Sequence, residues 1–521
     1  MSFWQRPLLV CIYKTKNKSM LAWLLNKFKK ETVYRIFEII PGLLVWTTLI
    51  GSIALSFLKP LWAIYIIIIF DLYWLLRVAY LLIYMIGSWK KYKTTINQNW
   101  RQQLNDLPNK KEIYHLIFLP TYKESIEVLR ASIKSLIDVD YPLDKLIVVL
   151  AGEARDKDNF LKSAEIIKQE FSHKFGHFLI TLHPSDIIGE IAGKGSNIHW
   201  AGQQAKKLID QLGLAYADIV VSTFDVDSCA HPQYFSYLTY VYLTHPDPLH
   251  SSYQPVAVYN NNIWQSPAIS RIVANSTTFW LLTDLARPER LFTFSSHSMP
   301  FKALVDVGFW QNDIVTEDSR IFLQCFVRYN GNYQVTPLYM PISMDTVYAG
   351  SLWRSLINQY KQQRRWAYGV ENFPYMAWHF WRSKTIPFNK KTRYLWNQLE
   401  GVYSWATAPL IIFILGRLPL MMADNQVKTT ILAHNAPVVL GWLMTLAMIG
   451  LIFSAALSTM LLPPRPADKS RLMYVPMVIQ WILFPAIMII FGAIPATDAQ
   501  TRLMLGKYLG FWVTEKKRAE S

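Results

Sequence analysis

The chain has 521 residues, a formal charge of +17, 52% hydrophobic residues and only three cysteines. That length holds a full catalytic domain and more, and the apolar excess lies in end runs long enough to span a bilayer, which takes about 20 residues. Cys11, Cys229 and Cys325 are far apart with no C-x-x-C, which excludes a disulfide framework and a zinc site of that type.

The basic residues cluster beside the apolar runs: Lys14, Lys16, Lys18, Lys27, Lys29, Lys30 and Arg35 precede the first, and Lys90, Lys91 and Lys93 follow the second. Such flanks mark cytoplasmic ends of membrane segments, so no nucleic-acid partner is expected and membrane lipids are. The first residues carry charge without an apolar core and a small-residue cleavage site, so no signal peptide is apparent. Residues 1–35 read as a basic cytoplasmic segment. Residues 36–58 and 60–87 read as two spans turning at Lys59-Pro60, a hairpin over 36–90 with both ends in the cytoplasm. Arg77 lies where it can snorkel. Asp71 lies near mid-span, where a carboxylate is costly unless it faces other helices or a wet cavity.

Residues 112–345 alternate between strand and helix patterns. Strands are expected at 114–120, 145–151, 177–183 and 219–225, and helices at 124–139, 159–171 and 196–212. Successive βα units argue for a Rossmann-like, mostly parallel sheet with helices on both faces. From 346 to 398 the chain mixes aromatic and basic residues and reads as amphipathic interface helices. Apolar stretches follow at 402–422, 436–462 and 473–495, making 399–496 a second membrane region and 497–521 a cytoplasmic tail. Three crossings would leave that tail outside, so one stretch must fail to cross. Pro485 interrupts 473–495, which is the expected re-entrant or interfacial element.

The strand at 219 ends in Asp225-Val226-Asp227. Parallel sheets bind ligands at the carboxyl ends of their strands, and two carboxylates there can share Mg²⁺ or Mn²⁺ with a diphosphate. Alone, D-x-D is as well read as a solvated turn. Pro120-Thr121-Tyr122-Lys123-Glu124 closes the first strand, and Gly193-Lys194-Gly195-Ser196-Asn197 opens a helix and offers a cation; each alone fits an ordinary βα turn. Thr316-Glu317-Asp318 opens a helix, where an acid also suits the macrodipole. Gln362-Gln363-Arg364-Arg365-Trp366 sits in a basic interfacial helix where a guanidinium beside an indole can hold phosphate.

The order of these five motifs between two membrane regions resembles the processive, membrane-embedded family 2 glycosyltransferases, the cellulose, chitin and hyaluronan synthases. Phe511-Trp512-Val513-Thr514-Glu515-Lys516 is similar to the F-x-V-T-x-K gating loop of bacterial cellulose synthase catalytic subunits. The resemblance implies a cytoplasmic α/β GT-A domain inserted between transmembrane helices of a bacterial-type cell membrane. It implies an inverting enzyme that adds sugar from a UDP-sugar donor to a growing polysaccharide, processively and coupled to translocation, with an accessory subunit for export. It makes Asp318 the general base, Asp225 and Asp227 the metal ligands, and Gln362, Arg365 and Trp366 binders of diphosphate and acceptor. Thr121, Tyr122, Glu124, Lys194, Glu317, Phe511, Val513, Thr514 and Lys516 would complete the substrate site. Where the family has an aspartate pair after the second strand, this chain has Glu153, its substitute toward the nucleoside. The alternatives are sugar transfer to a lipid carrier, with a lipid-linked acceptor, and a transporter or channel with a ligand-sensing cytoplasmic domain, which would explain Asp71 but not Thr316 to Asp318.

Overall fold

The computed structural model describes residues 30–108 and 111–514; Lys516 lies outside the described residues. The α/β domain is built on one mixed sheet. Its strands are β1 Tyr114–Thr121, β2 Leu146–Glu153, β3 His177–His183, β4 Ile219–Thr223, β5 Cys229–Ala230, β6 Ser251–Tyr259, β7 Ser298–Pro300 and β8 Gln334–Met344. They lie in the order β3-β2-β1-β4-β7-β6-β8-β5. The first four are parallel neighbours around β1. Their β-branched, apolar runs suit strands covered on both faces, and every residue of β2 (LIVVLAGE) and β4 (IVVST) is buried. The expected mostly parallel sheet therefore stands, with two short antiparallel strands, β5 against β8 and β7. β7 runs antiparallel between β4 and β6, so the residues that lead into it, 295–298, stand at the carboxyl edge of β4.

The parallel register sets the site. Thr121 pairs with Gly152, and Phe118 with Thr223, so Thr121, Glu153 and Asp225 emerge along one edge, where ligands of parallel sheets bind.

Among the described residues four helices are long and apolar enough to cross a membrane: Glu31–Leu58, Pro60–Ile96, Ile431–Met460 and Arg471–Met504. A fifth candidate, Phe388–Phe413 with Leu415–Met422, is bent by 49°. Ile69, Leu76 and Ile83, spaced by seven on the second helix, are 65%, 62% and 70% exposed. An apolar stripe of that length meets lipid rather than water. The second helix continues nine residues past 87, to Ile96, and its Lys91 ammonium lies 5.2 Å from the Tyr339 ring of β8. The span is thus fixed directly to the sheet. Arg77 does not snorkel: its guanidinium grips the Glu400 carboxylate of the bent helix, with Nη2 donating to Oε2 at 2.9 Å. Asp71 is buried and lines a cavity, which answers its cost at mid-span.

Contacts give depth to the bent helix and to Arg471–Met504. Leu420 packs with Ile64, Ala433 and Ala436 near the Lys59-Pro60 turn. The bent helix therefore reaches from the α/β domain, where Asn397 donates to the Arg290 carbonyl at 3.1 Å, to the far end of the hairpin. Arg471–Met504 begins against the domain, with Tyr474 edge-on to Trp264 at 5.6 Å and Gln480 Oε1 accepting from Arg271 at 2.8 Å. It ends near the domain too, where Asp498 pairs with Arg364 at 2.9 Å. Its residues 488–493 form a π-helical turn, while the helix runs on past Pro485 as one candidate span.

The first and last described helices are bolted together. Arg35 Nη1 donates to the Leu503 carbonyl at 2.7 Å, Nη2 to that of Met504, and Trp46 Nε1 to Thr501 Oγ1 at 2.9 Å. Gly42 permits the approach, since a Cβ there would lie 2.7 Å from Met504 Cβ.

Candidate active site

Lys194 is the hub. It is the first residue of helix Lys194–Leu212, and its Nζ lies 2.7 Å from Asp225 Oδ1, 2.8 Å from Asp318 Oδ2 and 3.7 Å from Glu317 Oε1. Burial alone would lower its pKa, but the carboxylates of Asp225, Asp318 and Glu317 outweigh it and hold the ammonium charged. Burial, with the neighbouring Asp318 charge, pushes the Glu317 carboxyl well up from the usual carboxylate range, against the opposing pull of Lys194 and Arg365.

The carboxylates are each positioned from a second element. Ser295 Oγ donates to Asp225 Oδ2 at 2.8 Å, and the Asp345 N–H to Asp227 Oδ2 at 2.8 Å. Asp318 opens helix Glu317–Arg328, and the His297 ring nitrogen Nδ1 stands 3.8 Å from its Oδ1. The preceding turn is held by Glu371, whose Oε1 accepts from Thr316 N at 3.0 Å and Thr316 Oγ1 at 2.6 Å. Ser295, His297, Glu371 and the Asp345 amide were not legible as site residues. Only the antiparallel return through β7 and the packing of residues 368–371 bring them in.

At the ends of β1 and β2 the Tyr122 amide donates to the Glu124 carboxylate, and Arg155 stacks 4.4 Å over the Tyr122 ring while donating to Glu153 Oε2 at 2.9 Å. Glu153 is buried at the position expected for it. Helix Leu352–Ala367 brings Gln362, Arg365 and Trp366 to the same space. The Arg365 guanidinium lies 4.8 Å over the Phe511 ring, Trp366 is tilted 6.0 Å from Tyr259, and Gln362 Oε1 accepts from Gln359 at 3.1 Å. Lys361 caps the Trp512 ring at 3.6 Å.

Thr121, Tyr122, Glu124, Glu153, Lys194, Asp225, Asp227, Glu317, Asp318, Gln362, Arg365, Trp366, Phe511, Val513 and Thr514 all line one cavity of about 1460 Å³. The same cavity extends between the membrane helices, past Trp405, Pro409, Leu443 and Met488. Among the described residues no group of three or more His, Cys, Asp or Glu side chains is placed to hold a metal ion. Asp225 and Asp227 are nonetheless hard oxygen donors on the cavity wall, and they fit as two ligands of a divalent cation that takes the rest from phosphate and water.

No family model matches the chain, and no curated protein does. Among solved structures it is similar to the mannosyltransferase PcManGT from Pyrobaculum calidifontis in complex with GDP-mannose and Mn²⁺, at 13% identity and TM-score 0.42, over 74% of this chain and 99% of that one. It is also similar to residues 1–349 of S. aureus TarS in complex with UDP-GlcNAc, at 12% identity and TM-score 0.36, over 68% of this chain and 93% of that one.

Proposed function

We propose that this chain is an inverting glycosyltransferase that takes sugar from a nucleotide-sugar donor and adds it to a growing glycan, processively and in the direction of the membrane. The observation that carries the reading is convergence: four separate segments, around residues 194, 225, 318 and 365, meet residues 511–514 on one cavity that continues between apolar helices. A ligand-sensing transporter domain has no use for a carboxylate held at a helix start beside a buried ammonium.

Asp318 takes the proton from the acceptor hydroxyl as its oxygen attacks the anomeric carbon. The nucleoside diphosphate leaves from the opposite face, so one displacement inverts the configuration. Lys194 and Arg365 supply the positive charge that receives the diphosphate. Before the donor arrives Lys194 is shared between Asp225 and Asp318, so diphosphate oxygens compete for the ammonium that holds Asp318. Asp225 and Asp227 would hold Mg²⁺ or Mn²⁺, which when bound neutralises the leaving diphosphate. Trp366 and Tyr259 form an aromatic wall suited to a sugar face. Transfer to a lipid carrier is the second reading, favoured by the apolar lining of the membrane arm.

The test is release of nucleoside diphosphate from a panel of nucleotide sugars by the purified protein. Asp318→Asn is expected to lower turnover by about 10² to 10⁴-fold while leaving nucleotide binding nearly intact. Near wild-type turnover by that variant sinks the assignment.

A further inference from the structure

Three arginines outside the carboxylate cluster line the same cavity where the α/β domain meets the membrane helices: Arg77, Arg287 and Arg290. Two carboxylates answer them. Arg77 is paired with Glu400, and Arg287 with Asp284. Arg290 lies within electrostatic reach of all four and gains no partner of its own; its buried Nε has no hydrogen bond among the described residues. Among the described residues Arg290 is therefore the guanidinium of the three with no carboxylate bonded to it, in a half-buried place where an unpaired charge is costly and a phosphate is matched by the planar fork.

Beyond the arginines the wall turns apolar. Deeper than Arg77, Trp74 and Leu75 of the second helix and Leu443, Met444 and Ala447 of helix Ile431–Met460 line it. Asp71 is the carboxylate in this arm, six residues or about 9 Å deeper than Arg77 on the same helix, and it sets an inner limit for an anion. In the other direction the cavity is continuous with Asp318. We propose that Arg77, Arg287 and Arg290 bind the phosphate of a lipid-borne acceptor, whose tail fills the apolar arm and whose hydroxyl-bearing end reaches toward Asp318. The inference rests on the second, lipid-carrier form of the glycosyl-transfer reading and adds where the acceptor's phosphate is held. A bulk phospholipid would share the phosphate but brings two chains to one apolar arm.

The experiment uses the full chain in phosphatidylcholine nanodiscs, titrated with farnesyl phosphate, farnesol and phosphatidylglycerol, with binding read by native mass spectrometry. Farnesyl phosphate is expected to bind at least about 10-fold tighter than farnesol, the difference that one charge-assisted contact supplies. Arg290→Gln is expected to erase that difference and Arg290→Lys to retain most of it. Equal binding of phosphate and alcohol by the wild type overturns the proposal, and that comparison decides alone should Arg290→Gln melt below the wild type without ligand. Phosphatidylglycerol competing as well as farnesyl phosphate overturns the acceptor assignment in favour of bulk lipid. Nucleotide-sugar hydrolysis is followed in parallel. Its absence with intact phosphate discrimination defeats the transfer reading and leaves the phosphate site, whereas hydrolysis without discrimination does the reverse.

Discussion

One ammonium among three carboxylates governs what each acid in the site can do. Asp225 and Asp318 come from elements 93 residues apart yet share Lys194 Nζ within 3.0 Å. Replacing Asp225 by Asn removes a charge that a divalent cation needs and that Asp318 does not. Asp225→Asn is therefore expected to lower donor turnover by about 10²-fold or more and to raise the Mn²⁺ concentration that supports it, while Asp318→Asn leaves the Mn²⁺ dependence unmoved. Titrating Mn²⁺ against diphosphate release checks both, and full rate in excess chelator counts against the metal. At this scale the sequence told where the acids are, because D-x-D and T-E-D stand at the ends of patterned elements. It did not tell that Ser295 holds Asp225 or that Glu371 holds the Thr316 turn, since those partners are set by β7 and by the packing of residues 368–371, which leave no spacing to read.

Between elements, Gly193 and Phe511 form a tight join at the site. A Cβ on Gly193 would lie 2.4 Å from the Phe511 ring, and Phe511 in turn carries Arg365. Gly193→Ala is expected to expel residues 511–514 from the cavity, lowering turnover by about 10-fold or more with little change in melting temperature, because the ring stands at a chain segment near the edge of the core. Protease accessibility of the 511–514 segment and diphosphate release read the two effects; unchanged turnover with an unchanged cleavage rate counts against the join. Element types were legible where period and length agreed: β1 to β4 and the helices between them fall within a few residues of expectation. Residues 234–244 form a helix despite the tyrosine-rich YFSYLTYVYLT, a composition that favours strand until tertiary packing overrides it. β7, three residues long, is too short to carry a pattern.

For the whole molecule the arrangement decides which segments cross. The bent helix shares its Leu420 end with the hairpin turn, whereas Arg471–Met504 touches the α/β domain through Tyr474 and helix Leu352–Ala367 through Asp498. Length and composition alone would let that segment cross; its partners at both ends argue for an interfacial helix that stays on the side of the α/β domain. Lys507→Cys is then expected to label from the side that carries the α/β domain and Asn425→Cys from the opposite side, in a chain whose native cysteines are serine. Labelling of both from one side defeats this topology, and so does labelling of Lys507→Cys from the side of Asn425. The charge pattern pointed to one stretch that fails to cross. The depth of each stretch needed contacts between residues hundreds of positions apart.

The bolt between Arg35 and the carbonyls of Leu503 and Met504 has a consequence for biogenesis. The first helix is translated 468 residues before the Leu503 carbonyl that it holds, so its guanidinium and the flank around Gly42 wait through the whole synthesis of the α/β domain. During that interval the helix must be sheltered by lipid or by the insertion machinery. A nascent chain stalled before residue 494 would present an open seam to quality control even with its α/β domain already folded.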